Sequence, residues 1–232
     1  MAEQGPPDPI RANPRPYYLS FLSTLSVSPY EFHKALIWLN NTIEPYSWKR
    51  LVACYALTDV PEQILELYRI PDSESLTTGL KALWTDRTYC ALATCCRDRE
   101  MDLTYGLPYD PGVGDAIEPS EEIQTYFLQE CITVKAGQQD HFLEALPHVR
   151  EAFQAKKWKL ISASQSLTPP YRVMHFWRFE FADQLADLMK ELPQDPRYAA
   201  FEDCCESQWQ RLNHTLKALP LARSHPSEGP AQ

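Results

Sequence analysis

The sequence predicts an α+β protein made of two fused ferredoxin-like βαββα repeats. Three observations predict this fold class. The chain repeats itself over about a hundred residues, and both copies carry the same order of strand and helix patterns. A single βαββα sheet also leaves one apolar face bare, which is unfavourable in water. We therefore expect two sheets stacked into a barrel, with the helices outside and room for a guest molecule beside His175.

A tandem duplication becomes visible when the chain is shifted by 109 residues against itself. The shift aligns residues of different chemical types: Tyr17 with Tyr126, Arg69 with Arg178, Tyr89 with Tyr198, and Cys95-Cys96 with Cys204-Cys205. One inserted residue brings WKRLVACYALT (48–58) onto WKLISASQSLT (158–168). Matches at a nearly constant offset indicate that both halves share one fold.

Each copy has the same order of elements. Alternating apolar residues predict the first strands, 17–27 and 126–134, and helical patterns follow them, 29–43 and 137–156. Two more strands flank a proline-bearing turn, TDVP (58–61) or TPPY (168–171). A second helix begins near 72–75 or 182–185, where Asp and Ser suit an N-cap. The helical pattern is then interrupted, and it resumes with Tyr89 in the first copy and Tyr198 in the second.

The repeats define the domain boundaries. We expect five segments: a disordered proline-rich head (1–15), a first repeat (16–107), a linker (108–124), a second repeat (125–219) and a disordered tail (220–232). The linker includes YDPGVGDAIEPSEE (109–122), which holds two of the seven glycines.

Composition and charge narrow the range of partners. The net charge is -9, with 22 basic against 31 acidic side chains and no basic stripe, so we expect no nucleic-acid partner. No leader and no long apolar run occurs, which predicts a cytoplasmic protein without a membrane partner. The seven cysteines occur as two adjacent pairs and three single residues. This spacing indicates reduced thiols rather than a metal site. Nucleotide-binding and hydrolase motifs such as GxGxxG and GxSxG are absent.

The second copy resembles the NIPSNAP domain of the dimeric α/β-barrel superfamily. The resemblance depends on Tyr126, the VKAG turn (134–137), the HFWRF strand (175–179) and DPRY (195–198), and covers roughly 126–212. The first copy fits only through its similarity to the second, so the whole chain is expected to form an intramolecular dimeric α/β-barrel. The superfamily implies cofactor-free monooxygenases, isomerases, cyclases and haem enzymes such as chlorite dismutase, while some NIPSNAP proteins are adaptors.

Strand alternation selects the candidate site residues. His175, Trp177 and Phe179 share one face of their strand, and Glu130 can approach His175 if the faces coincide. A histidine beside a carboxylate is a competent general acid or base near neutral pH. The candidate catalytic residues are therefore His175, Glu66 and Glu130, and the candidate substrate-binding residues are Trp177, Tyr68, Phe21 and Phe179.

His175 and Glu66 also have a purely structural interpretation. A strand histidine among aromatic residues is often a satisfied core residue. Glu66 occupies the place of His175 in the first copy, and we favour pairing with one of the chain's arginines over catalysis as its role. His33, His141 and His148 lie on predicted helices, and the spacing of the last two is too long for one metal ion.

Three functions stay open at this point. The first is a cofactor-independent enzyme of specialised metabolism that isomerises, cyclises or eliminates a hydrophobic, aromatic or polyketide-like molecule by acid–base chemistry. The second is a small-molecule-binding or adaptor protein without catalysis. The third is a haem-binding protein, with His175 or a helix histidine as the axial ligand, or a cofactor-free monooxygenase. The chain is expected to be a monomer, as an internal pseudo-dimer, or a homodimer.

Overall fold

Each half of the chain folds as a β-α-β-β-α-α-β unit in a computed structural model, which describes residues 15–56, 63–111, 125–167, 171–181 and 183–215. The elements of the first half are β1 (Tyr17–Leu25), α1 (Pro29–Ile43), β2 (Lys49–Ala56), β3 (Gln63–Ile70), α2 (Ser73–Thr85), α3 (Arg87–Thr94) and β4 (Cys96–Gly106). Those of the second half are β5 (Tyr126–Val134), α4 (Gln139–Ala155), β6 (Lys159–Ser166), β7 (Arg172–Phe179), α5 (Asp183–Glu191), α6 (Pro196–Asp203) and β8 (Cys205–Thr215).

The predicted fold class is confirmed, and each repeat has one strand more than predicted. The eight strands form one closed antiparallel barrel in the order β1-β3-β2-β8-β5-β7-β6-β4. The unpredicted strands β4 and β8 close it, because β4 pairs with β6 and β8 pairs with β2. The sheets of the two repeats are thus joined edge to edge through hydrogen bonds as well as stacked.

The predicted helix starts agree with the structure. Asp72 caps α2, since its side chain accepts a hydrogen bond of 2.7 Å from the amide of Ser75. Asp195 caps α6 at the break before Pro196. The two proline-bearing turns lie largely outside the described residues, as do the predicted head and tail. Within the described ranges, no helix has both the length and the apolar composition that crossing a lipid bilayer requires.

The barrel divides the buried residues into three cores. One core lies between the sheet and α1–α3, a second lies between the sheet and α4–α6, and a third fills part of the barrel interior. Trp177 belongs to the second core, whereas its chain neighbour Phe176 points into the barrel. His175 has the same strand parity as Trp177, so it faces the helices. The expectation that the stacked sheets leave room for a guest beside His175 is therefore wrong.

Helix α2 packs closely on Trp48 through Gly79. A Cβ atom at position 79 would collide with the Trp48 Nε1 atom, which donates a hydrogen bond of 2.8 Å to the Ser75 carbonyl. Only a residue without a side chain allows this contact. The glycine thus fixes the distance between α2 and the strand that follows Trp48.

We expect Gly79→Ala to lower the free energy of unfolding by about 1–3 kcal/mol, because the methyl group overpacks the Trp48 contact. Ordinary helix propensity predicts the opposite, a gain of up to about 1 kcal/mol. Urea unfolding followed by circular dichroism measures the difference. Thr78→Ala, on the exposed side of the same helix, is the control and should change little. A Gly79→Ala variant as stable as the parent would contradict the contact.

Candidate active site

Glu130 and His175 form a directly opposed pair on neighbouring strands. They are cross-strand partners on β5 and β7, and both face the helices of the second repeat. Both are almost fully buried. The His175 Nδ1 atom lies 3.4 Å from Glu130 Oε2. The two strand faces that the sequence selected therefore coincide.

Three further donors hold the Glu130 carboxylate in place. The Trp177 indole donates to Oε2 at 2.7 Å, and the side-chain amides of Gln208 and Gln210 donate to Oε1 at 3.1 and 2.9 Å. A buried carboxylate without such partners is costly, whereas one surrounded by donors is stable. Both glutamines lie on β8, so the unpredicted strand completes the Glu130 site.

Tyr109 contacts the other side of the imidazole. Its hydroxyl lies 2.9 Å from His175 Nε2. Because a carboxylate only accepts hydrogen bonds, the network assigns the ring proton to Nδ1 and leaves Nε2 to accept from the Tyr109 hydroxyl. Burial raises the pKa of Tyr109 well above its usual value of 10, and the nearby charges of Glu130 and Asp110 raise it further. The phenol thus keeps its proton and donates a hydrogen bond to Nε2.

The position of Tyr109 depends on the segment that follows β4. This segment crosses onto the second repeat, where the Leu107 amide donates to the Ala163 carbonyl at 2.9 Å. Asp110 accepts from the Tyr18 hydroxyl at 2.7 Å and from the Ala163 amide at 3.1 Å. Tyr109 lies within the predicted linker and was not among the predicted site residues. No local pattern identifies it, because only the crossing brings it to His175.

Tyr109 also lines a cavity at the surface of α4. The cavity measures about 180 Å³, and its other lining residues are Leu146, Pro147, Arg150, Glu151 and Gln154. A neighbouring cavity of about 390 Å³ shares Arg150 and Gln154 and is also lined by Lys157 and Lys159. His175 and Glu130 line neither cavity. Tyr109 is therefore the member of the network that a molecule in the 180 Å³ cavity would contact.

The equivalent place in the first repeat holds an ion pair. Glu66, the counterpart of His175, lies 2.6 Å from the Arg99 guanidinium, and both side chains are buried. The guanidinium also stacks 4.1 Å from the centre of the Phe21 ring. Burial raises the pKa of Glu66 above its usual value, although Arg99 opposes this shift. The structure thus agrees with the structural interpretation of Glu66.

The four predicted substrate-binding residues are buried core residues. Trp177 stacks on Phe153 at 4.3 Å between ring centres. Phe179 stacks on Trp158 at 4.1 Å. Phe21 and Tyr68 meet edge to face at 6.0 Å in the first repeat. Each is no more than 1% exposed, and none lines the two cavities beside Tyr109.

Haem, which the superfamily implies for some members, does not fit this arrangement. Both ring nitrogens of His175 make hydrogen bonds, and the stacked aromatic residues fill the space between the sheet and α4–α6. His141 and His148 lie exposed on the outer surface of α4. His33 is half-buried on α1, next in the chain to Phe32 of the first-repeat core. Among the described residues, no group of three or more His, Cys, Asp or Glu side chains is placed to hold a metal ion.

We expect Arg99→Met to cost about 3–5 kcal/mol of unfolding free energy, because it leaves the buried Glu66 charge unpaired. The cost should shrink as the pH falls from 7 to 5. A carboxyl whose pKa is raised by folding stabilises the fold at low pH and loses that contribution as the pH rises through its folded pKa. Urea unfolding at several pH values measures both effects.

Two controls accompany the Arg99→Met variant. Arg197→Met removes an exposed arginine that pairs with Asp195, and it should change stability only slightly. The double variant Glu66→Met/Arg99→Met replaces the whole pair by apolar groups and should recover most of the loss. A double variant as unstable as the single one would show that Arg99 stabilises the fold through something other than Glu66.

Comparison with known proteins places the chain by its fold. No protein-family model and no curated protein matches it. An anthrone oxidase-like protein superposes with a TM-score of 0.59 at 12% identity, over 92% of this chain and 98% of the other. A mutant of chlorite dismutase from Candidatus Nitrospira defluvii superposes with a TM-score of 0.56 at 9% identity, over 86% of this chain and 91% of the other. A haem-binding protein from Thermus thermophilus superposes with a TM-score of 0.54 at 11% identity, over 87% of this chain and 92% of the other. At these identities the likeness shows the fold alone, which is the duplicated dimeric α/β-barrel.

Proposed function

We propose that this chain is an enzyme without an organic cofactor, and that it takes a proton from a hydrophobic small molecule. One observation carries the proposal: the hydrogen-bonded series Tyr109, His175 and Glu130, which runs from a cavity wall to a buried carboxylate. A phenol, an imidazole and a carboxylate in series can pass a proton inward without a metal ion. The chain is proposed to work in the cytoplasm on a diffusible substrate.

The proton moves in two linked transfers. The acidic C–H or O–H proton of the substrate passes to the Tyr109 oxygen while the phenol proton passes to His175 Nε2. The imidazolium that forms keeps both ring protons and donates a hydrogen bond through Nδ1 to the Glu130 carboxylate, which stabilises the positive charge. The substrate is left as an enolate or phenolate. Return of the proton at a different atom completes an isomerisation, and a cyclisation or an elimination begins from the same anion.

The cavity walls favour a substrate that carries an acidic substituent. Arg150 lines both cavities, and Lys157 and Lys159 line the neighbouring cavity of about 390 Å³. The three cations outnumber Glu151, the one carboxylate among the lining residues of the two cavities, so they would attract an anionic group, while Leu146, Pro147 and Trp158 offer apolar surface. An aromatic or polyketide-like acid therefore suits the site better than a neutral or basic molecule.

Cofactor-free oxygenation is the second candidate, and the likeness to an anthrone oxidase-like protein favours it. An anthrone carbanion that reacts with molecular oxygen gives the quinone and one molecule of water, so oxygen is the only other reactant. The same proton abstraction starts both reactions.

We also propose that the second repeat is NIPSNAP-like. Its HFWRF strand, on which the resemblance depends, supplies the imidazole and the indole that contact Glu130.

Hydrogen exchange at carbon tests the proton transfer directly. We expect the protein to accelerate deuterium uptake at the methylene carbon of an anthrone carboxylic acid in heavy water under nitrogen, as followed by proton NMR. His175→Gln and Tyr109→Phe should each lower the rate about 10²–10⁴-fold. His148→Gln is the matched control, because His148 is exposed on α4 and outside the network. Oxygen uptake and quinone absorbance in air then separate the oxygenase from the isomerase.

The outcome that contradicts the proposal is equally specific. If both variants exchange deuterium at the parent rate, the network is structural. A parent protein that binds the acid, raising its own melting temperature, yet exchanges no deuterium would favour the small-molecule-binding or adaptor function instead.

The Glu130→Gln variant tests whether Glu130 orients the imidazole without contributing to substrate binding. The amide keeps the shape but presents an N–H group where the network needs an acceptor, so the imidazole loses its fixed tautomer. We expect kcat to fall by about 10²-fold or more while KM changes little. Steady-state kinetics measures this split, and Glu202→Gln, an exposed carboxylate on α6, is the control. An unchanged kcat would remove Glu130 from the mechanism.

A further inference from the structure

The barrel interior holds a separate cavity, on the opposite face of the sheet from His175. It measures about 300 Å³. Its inner wall includes the buried side chains of Ser20, Leu65 and Gln129. At its mouth, Met101 is 48% exposed and Trp209 is 40% exposed. Large apolar side chains at the rim of a pocket with a polar floor are typical of a site that receives a small molecule.

The two repeats contribute opposite charges to this cavity. Asp102 and Arg211 both line it, and they are equivalent positions in the duplication, since the offset of 109 residues separates them. Glu100 in the first repeat is likewise the counterpart of Trp209 in the second. The register places Asp102 beside Ser20 and Arg211 beside Gln129, so each charge stands next to a buried polar residue of its own repeat.

A second cation strengthens the basic side. Arg172 lines the cavity, and its nearest guanidinium nitrogen lies 3.9 Å from an Asp102 oxygen. This distance is too long for a hydrogen bond, and both side chains are about one-third exposed. Arg172 and Asp102 therefore face each other across the cavity without closing into a tight ion pair.

Gln129 supplies a buried acceptor without a donor. The residue is only 6% exposed, and its Oε1 atom has no hydrogen-bond partner among the described residues. A buried amide oxygen that lacks a partner is costly, and most such groups in native proteins are satisfied by the protein, by water or by a ligand. A ligand with an N–H group would satisfy it.

We propose that this cavity binds a small zwitterion, namely an amino acid with a large apolar side chain. Its carboxylate lies towards Arg172 and Arg211, and its ammonium group lies towards Asp102 and Glu100 within reach of Gln129. Its apolar side chain packs on Trp209. A simple anion would meet the two carboxylates and a simple cation would meet the two arginines, so the walls favour a molecule that carries both charges. A volume of about 300 Å³ suits a ligand of this size.

Three related probes test the charge requirement by isothermal titration calorimetry. They are L-phenylalanine, 3-phenylpropionate, which lacks the ammonium group, and phenethylamine, which lacks the carboxylate. We expect L-phenylalanine to bind at least about tenfold more tightly than either analogue. Equal binding of all three probes, or no binding of L-phenylalanine at about 10 mM, would overturn the proposal.

Substitutions then locate the site. Arg211→Met and the isosteric Asp102→Asn should each weaken L-phenylalanine binding by about tenfold. Lys81→Met, an exposed charge on α2, should not change it. Circular dichroism checks that each variant is folded. If Arg211→Met unfolds, binding of L-phenylalanine to the isosteric Asp102→Asn variant still tests the site. His175→Gln should bind L-phenylalanine like the parent, so this result stands apart from the proposed activity. Full affinity in both cavity variants would contradict the site.

Discussion

Closure of the barrel is the constraint on which the rest of the structure depends. The seams β4–β6 and β2–β8 are short, joining only residues such as Thr104 with Ser166 and Cys54 with Thr215. Nevertheless they leave no open sheet edge among the described strands and bury the inner faces of both repeats against each other. Because the inner faces pack together, each outer face needs only its own helices. The chain therefore has three separate cores, and polar groups can be placed in each of them independently.

Duplication without a second chain allowed these polar groups to diverge. A homodimer must carry the same residue at both symmetry-related positions, whereas this chain has Glu66 where the second repeat has His175. The first repeat neutralises its buried carboxylate with Arg99. The second repeat has Gln208 at the position equivalent to Arg99, and it surrounds Glu130 with neutral donors. The first repeat thus holds an ion pair at this position, while the second holds an imidazole between a carboxylate and a phenol.

The parts of this arrangement that local pattern determines were predictable from the sequence. The offset of 109 residues, the amphipathic helices and the alternation around His175 predicted the fold class and the pairing of His175 with Glu130. Strand β4 was missed because most of its side chains are charged or half-exposed, so its alternation is weak. Tyr109 was missed for a different reason. The residues next to it in the sequence do not indicate that this segment lies against Ala163 and His175. It does so only because the barrel closes.

The dependence of Tyr109 on closure links the two halves chemically. The segment that carries it leaves the first repeat after β4 and is held on β6 of the second by Leu107 and Asp110. Tyr18, a first-repeat residue inside the barrel, donates to that same Asp110. The imidazole of the second repeat therefore contacts a phenol from the segment that follows the first repeat, and a change in how the repeats pack would move the Tyr109 oxygen relative to Nε2. Under the proposed function, the rate of proton transfer would fall steeply with such displacement, so closure of the barrel would keep the Tyr109 oxygen at a fixed distance from Nε2.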